Sequence, residues 1–242
     1  MTDDLSLRGA VPQATKQSRL TCNGLLHRPS TALESAPLRA AITPALHLEQ
    51  SLWQQGIQFI GGIDEAGRGA CAGPVSAAVV VLPSDPRIGL TLCGVRDSKQ
   101  MTPRQRERWA LEIKSAALAW SVGMASAAEI DALGILPATR AAMTRAIDGL
   151  PRPPERFLFD YIPWKACPYP GQRLVRGESQ SLSIAAASVL AKTARDALMR
   201  DLDAEYPCYG FARHKGYGTS VHREAIRAWG LCCIHRKSYK IG

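Results

Sequence analysis

The sequence predicts an α/β fold in which helices flank a central β-sheet. Continuous apolar runs, IQFIGGID, PVSAAVVVL and RFLFD, have the composition of strands, and runs of this kind are typical of a sheet buried on both faces. Helical patterns follow the first two strands and alternate with the later ones, as in α/β sheet domains. A basic C-terminal part with helical character completes the predicted domain.

The elements are predicted in chain order from local signals. Residues 1–44 lack sustained periodicity and predict a disordered N-terminal extension, after which Leu46, Leu48, Leu52 and Trp53 predict a short docking helix. The glycine-rich bend GRGACAG joins the first two strands. The further predictions are a helix from 103 to about 119 with Thr102 as N-cap, a strand at 119–126, a helical stretch from 126, a helix at 138–147, a strand at 156–160 and a helix at 182–204.

Composition narrows the class of protein. The chain has 242 residues, of which 46% are hydrophobic and 21% charged, and this usage excludes a chain that is disordered throughout. Its formal net charge of +9 favours a polyanionic partner, either nucleic acid or an anionic membrane surface. The 7 cysteines lack zinc-site spacing and predict small, mostly buried apolar residues in a reducing, cytoplasmic compartment.

The segment GGIDEAGRGACAGP, residues 61–74, carries the most chemical information. It is neither a Walker loop, because no GK[ST] follows, nor a dinucleotide-binding loop, because GxGxxG spacing is absent. Asp64 and Glu65 directly precede its glycines, and two carboxylates repel a phosphate unless a divalent cation lies between them. Mg²⁺ prefers oxygen ligands, so this segment indicates metal-assisted chemistry on a phosphate.

Four carboxylates are candidate site residues. Asp64 and Glu65 point to opposite faces of a regular strand, so they share a site only if the strand ends or bends there; the alternative is an exposed acid pair. Asp160 closes an apolar strand, where a turn or N-cap role is the alternative. Glu178 lies in VRGES before the long helix, where an N-cap role is the alternative. Because strand ends gather functional groups in one crevice, the four together would suit one or two metals.

GIDEAGRGACAGPVSAAVV closely resembles the opening motif of bacterial ribonuclease HII, the type 2 ribonuclease H family. The resemblance continues through DSKQMTPRQRER, EIDALGILPATRAAM, SLSIAAASVLAKTARD and YPCYGFARHKGYGT, and covers roughly residues 46–238. It implies a ribonuclease H-like fold with a mixed central sheet and a basic, helical C-terminal extension. Residues 45–242 would then form one catalytic domain, with the helical part at about 205–242.

The same resemblance implies the activity. Members cleave the RNA strand of RNA–DNA hybrids endonucleolytically with Mg²⁺ or Mn²⁺, and incise 5′ of ribonucleotides embedded in duplex DNA. The ends left would be a 5′-phosphate and a 3′-hydroxyl. The resemblance further implies a monomer with no membrane partner, and it leaves a sliding-clamp contact open.

The resemblance assigns roles to individual residues of this sequence wherever they match a family motif. Asp64, Glu65 and Asp160 match the family's metal-binding carboxylates, although Tyr161 replaces the glycine that usually follows the third. The fourth family carboxylate is an aspartate in a Lys-Gly-Asp-like segment, where this chain has Arg176-Gly177-Glu178. The resemblance therefore implies catalytic roles for all four carboxylates, with Glu178 as the departure from the pattern.

Two motifs are predicted to bind the substrate. Gly67-Arg68-Gly69 resembles the family loop that senses the ribose 2′-hydroxyl, and glycine suits a backbone that must approach a sugar closely. Tyr217 resembles the tyrosine that packs on the neighbouring deoxyribose; without the resemblance it would be assigned to the core or surface. Candidate phosphate contacts, each with a solvated basic surface as the alternative, are Lys99, Lys192, Arg213 and Lys215.

Three rival classes fit the sequence less well. A non-catalytic binder of hybrids would need a damaged metal cluster, yet Asp64, Glu65 and Asp160 are present. A resolvase or transposase nuclease on a similar scaffold does not explain GRG and HKGYGT together. A membrane-surface protein would need a basic amphipathic helix at one end of the chain, and the sequence predicts none there.

Overall fold

The computed structural model describes residues 44–240, and a mixed five-stranded sheet forms its centre. In chain order the strands are β1 (Ile60–Ala66), β2 (Val75–Val81), β3 (Ala119–Ala125), β4 (Arg156–Asp160) and β5 (Gly171–Leu174). Across the sheet they lie in the order β3-β2-β1-β4-β5. The β3-β2-β1 pairs are antiparallel and the β1-β4-β5 pairs are parallel, which confirms the predicted α/β class.

Eight helices are present within the described part of the chain. They are α1 (His47–Gln54), α2 (Ile88–Thr91), α3 (Pro103–Ala116), α4 (Ala127–Leu133), α5 (Ile135–Asp148), α6 (Leu182–Glu205), α7 (Phe211–His214) and α8 (Ser220–Trp229). Capping fixes two of the starts, because Thr102 and Ser126 each form a reciprocal capping box with the residue three positions later. Two 3-10 turns, Ser98–Gln100 and Gly177–Ser179, lie close to the site.

The helices cover both faces of the sheet. α5 packs with the side of β2 that carries Val79, whereas α6 packs with the side that carries Val80. Every residue of β2 is therefore buried, which explains why PVSAAVVVL has no polar alternation. The predicted helix at 182–204 is confirmed as α6, one residue longer.

Several predicted boundaries are wrong by a few residues. α3 ends at Ala116 rather than Ala119, because Ala119 pairs with Val81 as the first residue of β3. α5 begins at Ile135 rather than Ala138, because Pro137 sits in its first turn, where the missing N–H breaks no helical hydrogen bond. The short elements β5 and α2 were not predicted.

The C-terminal part is helical as predicted, through α7 and α8, and its last segment returns to the β1–β2 connection. The N–H of Gly73 donates to the carbonyl of Ile234 (2.8 Å), and Ala72 forms an isolated β-bridge with His235. These contacts attach residues beyond α8 to the glycine-rich bend. The C-terminal tail therefore packs directly against the glycine-rich bend between β1 and β2.

Three further expectations concern cysteines, the extension and membranes. The predicted burial of cysteines is wrong: of the six described, Cys71, Cys167 and Cys232 are half-buried, and Cys93, Cys208 and Cys233 are exposed. The predicted extension, residues 1–44, lies outside the described residues except for its last position. No helix between residues 44 and 240 has the length and apolar composition needed to cross a bilayer.

Candidate active site

Three carboxylates line one cleft at the carboxyl ends of two adjacent parallel strands. β1 and β4 pair with Ile63 opposite Phe159, so Asp64 and Asp160 follow at the same level. Glu65 is the next residue of β1. The cleft has a volume of about 490 Å³, and its other lining residues are Ala66, Gly67, Arg68, Gly69, Ser98, Lys99, Ile135, Lys192 and Tyr217.

Asp64 and Glu65 share this cleft although β1 continues through both of them, paired with β2 as far as Ala66. The strand continues through Ala66, and the chain turns only at Gly67, which has φ +92°. The strand therefore does not end at the acid pair itself but one residue after it. The cleft lies across the end of the sheet and is lined from both faces, by Ile135 of α5 and Lys192 of α6, so side chains on either face reach it.

Burial and the neighbouring negative charges make ionisation of Asp64 costly. Burial raises the pKa of Asp64 well above its usual range, and the charges of Glu65 and Asp160 raise it further. The N–H of Glu65, 2.7 Å from Asp64 Oδ1, opposes this shift. With Asp64 only 4% exposed, the alternative of an exposed acid pair is excluded.

Glu65 has one satisfied and one unsatisfied carboxylate oxygen. Oε1 accepts a hydrogen bond from Arg68 at 3.0 Å, whereas Oε2 is buried and has no partner among the described residues. Burial raises the pKa of Glu65 despite the opposing charge of Arg68, and Asp160 adds to the rise. A buried carboxylate oxygen without a donor is an open position for a cation.

Glu178 lies in the turn Gly177–Ser179, where its carboxyl group interacts electrostatically with Asp160. Asp160 Oδ1 accepts the N–H of Gly177 at 2.8 Å, which ties this turn to the end of β4. Glu178 is not among the residues that line the cleft, but its buried Oε2 has no donor within residues 44–240. Burial raises the pKa of Glu178, and the charge of Asp160 contributes to the rise.

Hydrogen bonds at the start of α6 decide whether Glu178 and Asp160 serve as helix caps or turn residues. Ser181 is the N-cap of α6, because its hydroxyl accepts the N–H of Ile184 at 3.2 Å. Glu178 therefore does not cap the long helix, and the N-cap reading is wrong. Asp160 does act locally as the acceptor of the Gly177 N–H, and its carboxylate still lines the cleft.

The four predicted basic contacts divide into two groups. Lys99 and Lys192 line the cleft, whereas Arg213 and Lys215 do not. Burial lowers the pKa of Lys99, but the charges of Asp97 and the site carboxylates outweigh it, so the net pKa is raised. Lys192 Nζ contacts Asp196 at 2.6 Å, and burial nonetheless lowers the pKa of Lys192.

The two glycines of the Gly67-Arg68-Gly69 loop differ in whether the protein's own structure requires glycine there. At Gly67 the left-handed backbone favours glycine, and a Cβ there would lie 2.0 Å from Arg195 Nε. At Gly69 a Cβ would meet nothing within 4 Å, so no contact inside the protein requires glycine. The backbone of Gly69 is exposed to the cleft, with open space in front of it.

Tyr217 lines the same cleft as the three carboxylates. Its ring is half-buried, with Lys192 Nζ 5.4 Å and Arg195 Cζ 5.5 Å from the centroid. Arg195 therefore lies against both Gly67 and Tyr217. The two motifs predicted to contact substrate sugars share this buried guanidinium.

Sequence reasoning missed Arg195 and Arg236, which are both fully buried. Arg195 donates to the carbonyls of Ala72, Pro74 and Lys215 at 2.8–2.9 Å. One signal was available for Arg195: it lies four residues after Ala191 and four before Met199, so helical periodicity places it on the buried face. No local pattern singles out Arg236, since it lies in a polar, basic tail.

The donor set fits a hard divalent cation that also takes ligands from water or a phosphate. Every donor is a carboxylate oxygen, and Glu65 and Glu178 each have a buried oxygen without a donor in the part of the chain described. Among residues 44–240, no group of three or more His, Cys, Asp or Glu side chains is arranged so that it could hold a metal ion by itself. Mg²⁺ sites commonly have this open form, with one or two carboxylates and several waters or substrate oxygens.

Comparisons with known proteins agree on one family. A family model described as Ribonuclease HII matches residues 61–241. Ribonuclease HII of Geobacillus kaustophilus is 50% identical over 194 residues, which cover 80% of this chain and 73% of that protein. Among solved structures, ribonuclease H2 of Pyrococcus horikoshii OT3 matches with a TM-score of 0.61 at 25% identity, over 75% of this chain and 94% of that one. Ribonuclease HII of Archaeoglobus fulgidus, solved in complex with PCNA, matches with a TM-score of 0.61 at 24% identity, over 74% and 92%.

Proposed function

The chain belongs to the ribonuclease HII family and has a ribonuclease H-like fold, and from this premise we propose that it cleaves the RNA strand of RNA–DNA hybrids endonucleolytically. We propose further that it incises 5′ of ribonucleotides embedded in duplex DNA. The observation that carries the proposal is the meeting of Asp64, Glu65 and Asp160 in one cleft. The same cleft contains the loop and the tyrosine expected to contact the sugars.

We assign Asp64, Glu65 and Asp160 as the residues that hold Mg²⁺ or Mn²⁺, with Glu178 as a fourth catalytic carboxylate. When bound, such a cation stabilises charge on the phosphate and makes water a better nucleophile at neutral pH. The protein's part is to fix the carboxylates: the Gly177 N–H orients Asp160, and the Glu65 N–H orients Asp64. Outer contacts of this kind typically matter for both affinity and activity.

The proposed reaction is hydrolysis of one phosphodiester. A water oxygen bonds to phosphorus on the 5′ side of the ribonucleotide, and the bond from phosphorus to the upstream O3′ breaks. The leaving oxygen takes up a proton. The products are a 3′-hydroxyl on the upstream strand and a 5′-phosphate on the ribonucleotide.

The remaining cleft residues would select and hold the substrate. Gly67-Arg68-Gly69 would contact the ribose 2′-hydroxyl, because the backbone of Gly69 faces open space. Tyr217 would pack on the neighbouring deoxyribose. Lys99 and Lys192 would contact phosphates near the cleaved bond, and Arg213 and Lys215 would contact phosphates farther along the duplex.

We propose a cytoplasmic monomer. A reducing compartment suits the free thiols of Cys71, Cys167, Cys208, Cys232 and Cys233. A single chain supplies the carboxylates, the glycine loop and Tyr217 to one cleft, so catalysis needs no residue from a second copy.

Cleavage of an end-labelled RNA–DNA hybrid tests the proposal. The wild-type protein with Mg²⁺ should cut the RNA strand internally and leave the DNA strand intact. Asp64→Asn and Asp160→Asn should bind the hybrid but not cut it, because basic residues outside the carboxylate set remain. Cleavage that survives both substitutions, or cleavage of the DNA strand, would refute the assignment.

A further inference from the structure

We propose that Arg236 and Tyr239 are positioning residues that set the orientation of the peptide groups in Gly67-Arg68-Gly69, and thereby the discrimination of ribose from deoxyribose. The inference rests on the proposed function, in which this loop contacts the 2′-hydroxyl. Both residues lie in the C-terminal segment beyond α8, far from the loop in sequence. Neither lines the cleft itself.

Every hydrogen bond of the Arg236 guanidinium goes to the β1–β2 connection or to Tyr239. A guanidinium has five N–H groups, and a buried one usually pairs with a carboxylate. Here all five N–H groups donate to neutral acceptors: the carbonyls of Gly67 (2.7 Å), Arg68 (2.9 Å), Gly73 (2.9 Å) and Pro74 (3.0 Å), and the hydroxyl of Tyr239 (3.2 Å). Solvation of this buried charge therefore depends on where the loop carbonyls point.

The carbonyls of Gly67 and Arg68 each have two donors. The Gly67 carbonyl accepts from Arg236 and from the N–H of Ala70 (3.3 Å), and the Arg68 carbonyl accepts from Arg236 and from the Tyr239 hydroxyl (2.6 Å). A carbonyl oxygen has two lone pairs, so both acceptors are filled. Two successive peptide planes are thus fixed from the buried side of the loop.

Fixing these carbonyls also fixes the N–H groups on the other side. In a planar trans peptide the carbonyl and the N–H point in opposite directions, so the N–H groups of Arg68 and Gly69 point away from Arg236. Neither donates a hydrogen bond to any acceptor in residues 44–240. Because Arg236 is fully buried and residues 67–69 line the cleft, these two donors face the cleft.

Two consecutive N–H groups on one side form a concave site for an electronegative oxygen. A ribose 2′-oxygen can accept from such donors, whereas deoxyribose has no oxygen at that position. Rotation of these peptide planes would therefore weaken the interaction with a ribonucleotide and leave contacts to DNA phosphates unchanged. Loss of Arg236 or of the Tyr239 hydroxyl removes the donors that prevent this rotation.

The same C-terminal segment offers a matched control. Asp131 of α4 accepts hydrogen bonds from the N–H groups of Lys237 (2.9 Å) and Ser238 (2.8 Å) and from the Ser238 hydroxyl (2.6 Å). Asp131→Ala would loosen the segment between Arg236 and Tyr239 without removing any donor to the loop. A merely structural role for the tail predicts the same defect in all variants.

The experiment compares Tyr239→Phe, Arg236→Lys and Asp131→Ala with the wild-type protein. Lysine keeps the positive charge but has three donors and no planar fork, and phenylalanine removes only a hydroxyl. For each protein, kcat/KM is measured on a duplex with one ribonucleotide, and Kd on the matched all-DNA duplex. Thermal denaturation reports folding, so Tyr239→Phe serves as the test if Arg236→Lys does not fold.

We expect Tyr239→Phe and Arg236→Lys to lower kcat/KM on the ribonucleotide duplex by about tenfold or more, with Kd for all-DNA changed by less than about twofold. Asp131→Ala should change both by less than about twofold. Full activity in Tyr239→Phe, or an equal loss in Asp131→Ala, would overturn the inference. If the wild-type protein itself fails to cut the ribonucleotide duplex, the proposed function is wrong instead.

Discussion

Asp64 and Asp160 lie side by side at the carboxyl ends of β1 and β4, one residue beyond the paired Ile63 and Phe159. Burial raises the pKa of Asp64, and the neighbouring charges of Glu65 and Asp160 raise it further. The fold therefore concentrates negative charge where ionisation is costly. A bound divalent cation would offset this cost, so stability and metal binding are linked at this pair.

Asp64→Asn should make the metal-free protein more stable at neutral pH. The folded-state pKa of Asp64 is raised, so the native state binds this proton more tightly than the unfolded state, and stability falls as pH rises from the unfolded pKa through the folded one. Asparagine carries no titrating proton, so this loss of stability at neutral pH does not occur in the variant. The Tm at pH 7 with a chelator should rise by a few degrees, since ~1 kcal/mol shifts the Tm of a chain this size by about 2–4 °C.

A matched carboxylate gives the control for this measurement. Asp131 is half-buried and accepts three hydrogen bonds, which outweigh burial and lower its pKa, so Asp131→Asn should lower the Tm. Addition of Mn²⁺ should raise the Tm of the wild-type protein and have little effect on Asp64→Asn. A lower Tm in metal-free Asp64→Asn would count against the electrostatic account.

Glu178 should matter less than the carboxylates in the cleft. Because it does not line the cleft, we expect it to act through water, and outer contacts of this kind are typically worth ~10–100-fold. Glu178→Ala should reduce turnover less than Asp64→Asn or Asp160→Asn, and Glu178→Asp should keep most activity. Single-turnover rates across Mg²⁺ concentrations check this order. A wild-type rate in Glu178→Ala would remove Glu178 from the catalytic set.

The two loop glycines should separate folding from substrate binding. Gly69→Ala adds a methyl group to open space, so the Tm should not change, but the methyl group would obstruct a sugar and lower kcat/KM on a ribonucleotide duplex. Gly67→Ala places a Cβ 2.0 Å from Arg195 Nε at φ +92°, so it should lower the Tm as well. Equal activity of Gly69→Ala and wild type would show that the sugar does not approach this position.

Three histidines in the C-terminal part should make the protein labile in acid. His222 Nε2 lies 3.1 Å from His235 Nε2, and the His214 ring stacks on His222 with centroids 4.3 Å apart. Burial lowers the pKa of His222 from 6.5 to about 4, so below pH 6.5 the unfolded state takes up a proton that the native state does not. The free energy of unfolding should therefore be independent of this group above pH 6.5 and fall as the pH decreases towards about 4.

Unfolding free energies measured between pH 7 and pH 4 check this window. His222→Gln should start from a lower stability and show a shallower decline, because one titrating group is gone. His47→Gln, at an exposed position of α1, should leave the slope unchanged. An unchanged slope in His222→Gln would show that other groups cause the acid sensitivity.

Much of the fold was predictable because its central strands are buried on both faces. PVSAAVVVL and RFLFD have continuous apolar character, and the structure places them in β2 and β4. By contrast, β5 has the sequence GQRL with only Leu174 buried, so no hydrophobic period marks it as a strand. Its position follows from pairing with β4, which a local pattern does not encode.

The part of the site that was predictable consists of residues within short sequence motifs. Asp64 to Gly69 form one motif, and the structure brings Asp160 and Tyr217 to the same cleft. The supporting residues were not predictable, because Arg236 has polar neighbours in sequence and is buried only through contacts with residues 67–74. Long-range hydrogen bonds to backbone carbonyls leave no trace in side-chain patterns.

Cleavage of a DNA duplex that contains one ribonucleotide is the most direct test of the central claim. The wild-type protein with Mg²⁺ should make one incision, on the 5′ side of the ribonucleotide, and leave a 5′-phosphate and a 3′-hydroxyl. The same duplex should stay intact with a chelator, with Asp64→Asn, or when the ribonucleotide is replaced by its deoxy counterpart. Incision of the all-DNA duplex at a similar rate, or incision of the ribonucleotide duplex by Asp64→Asn, would contradict the account.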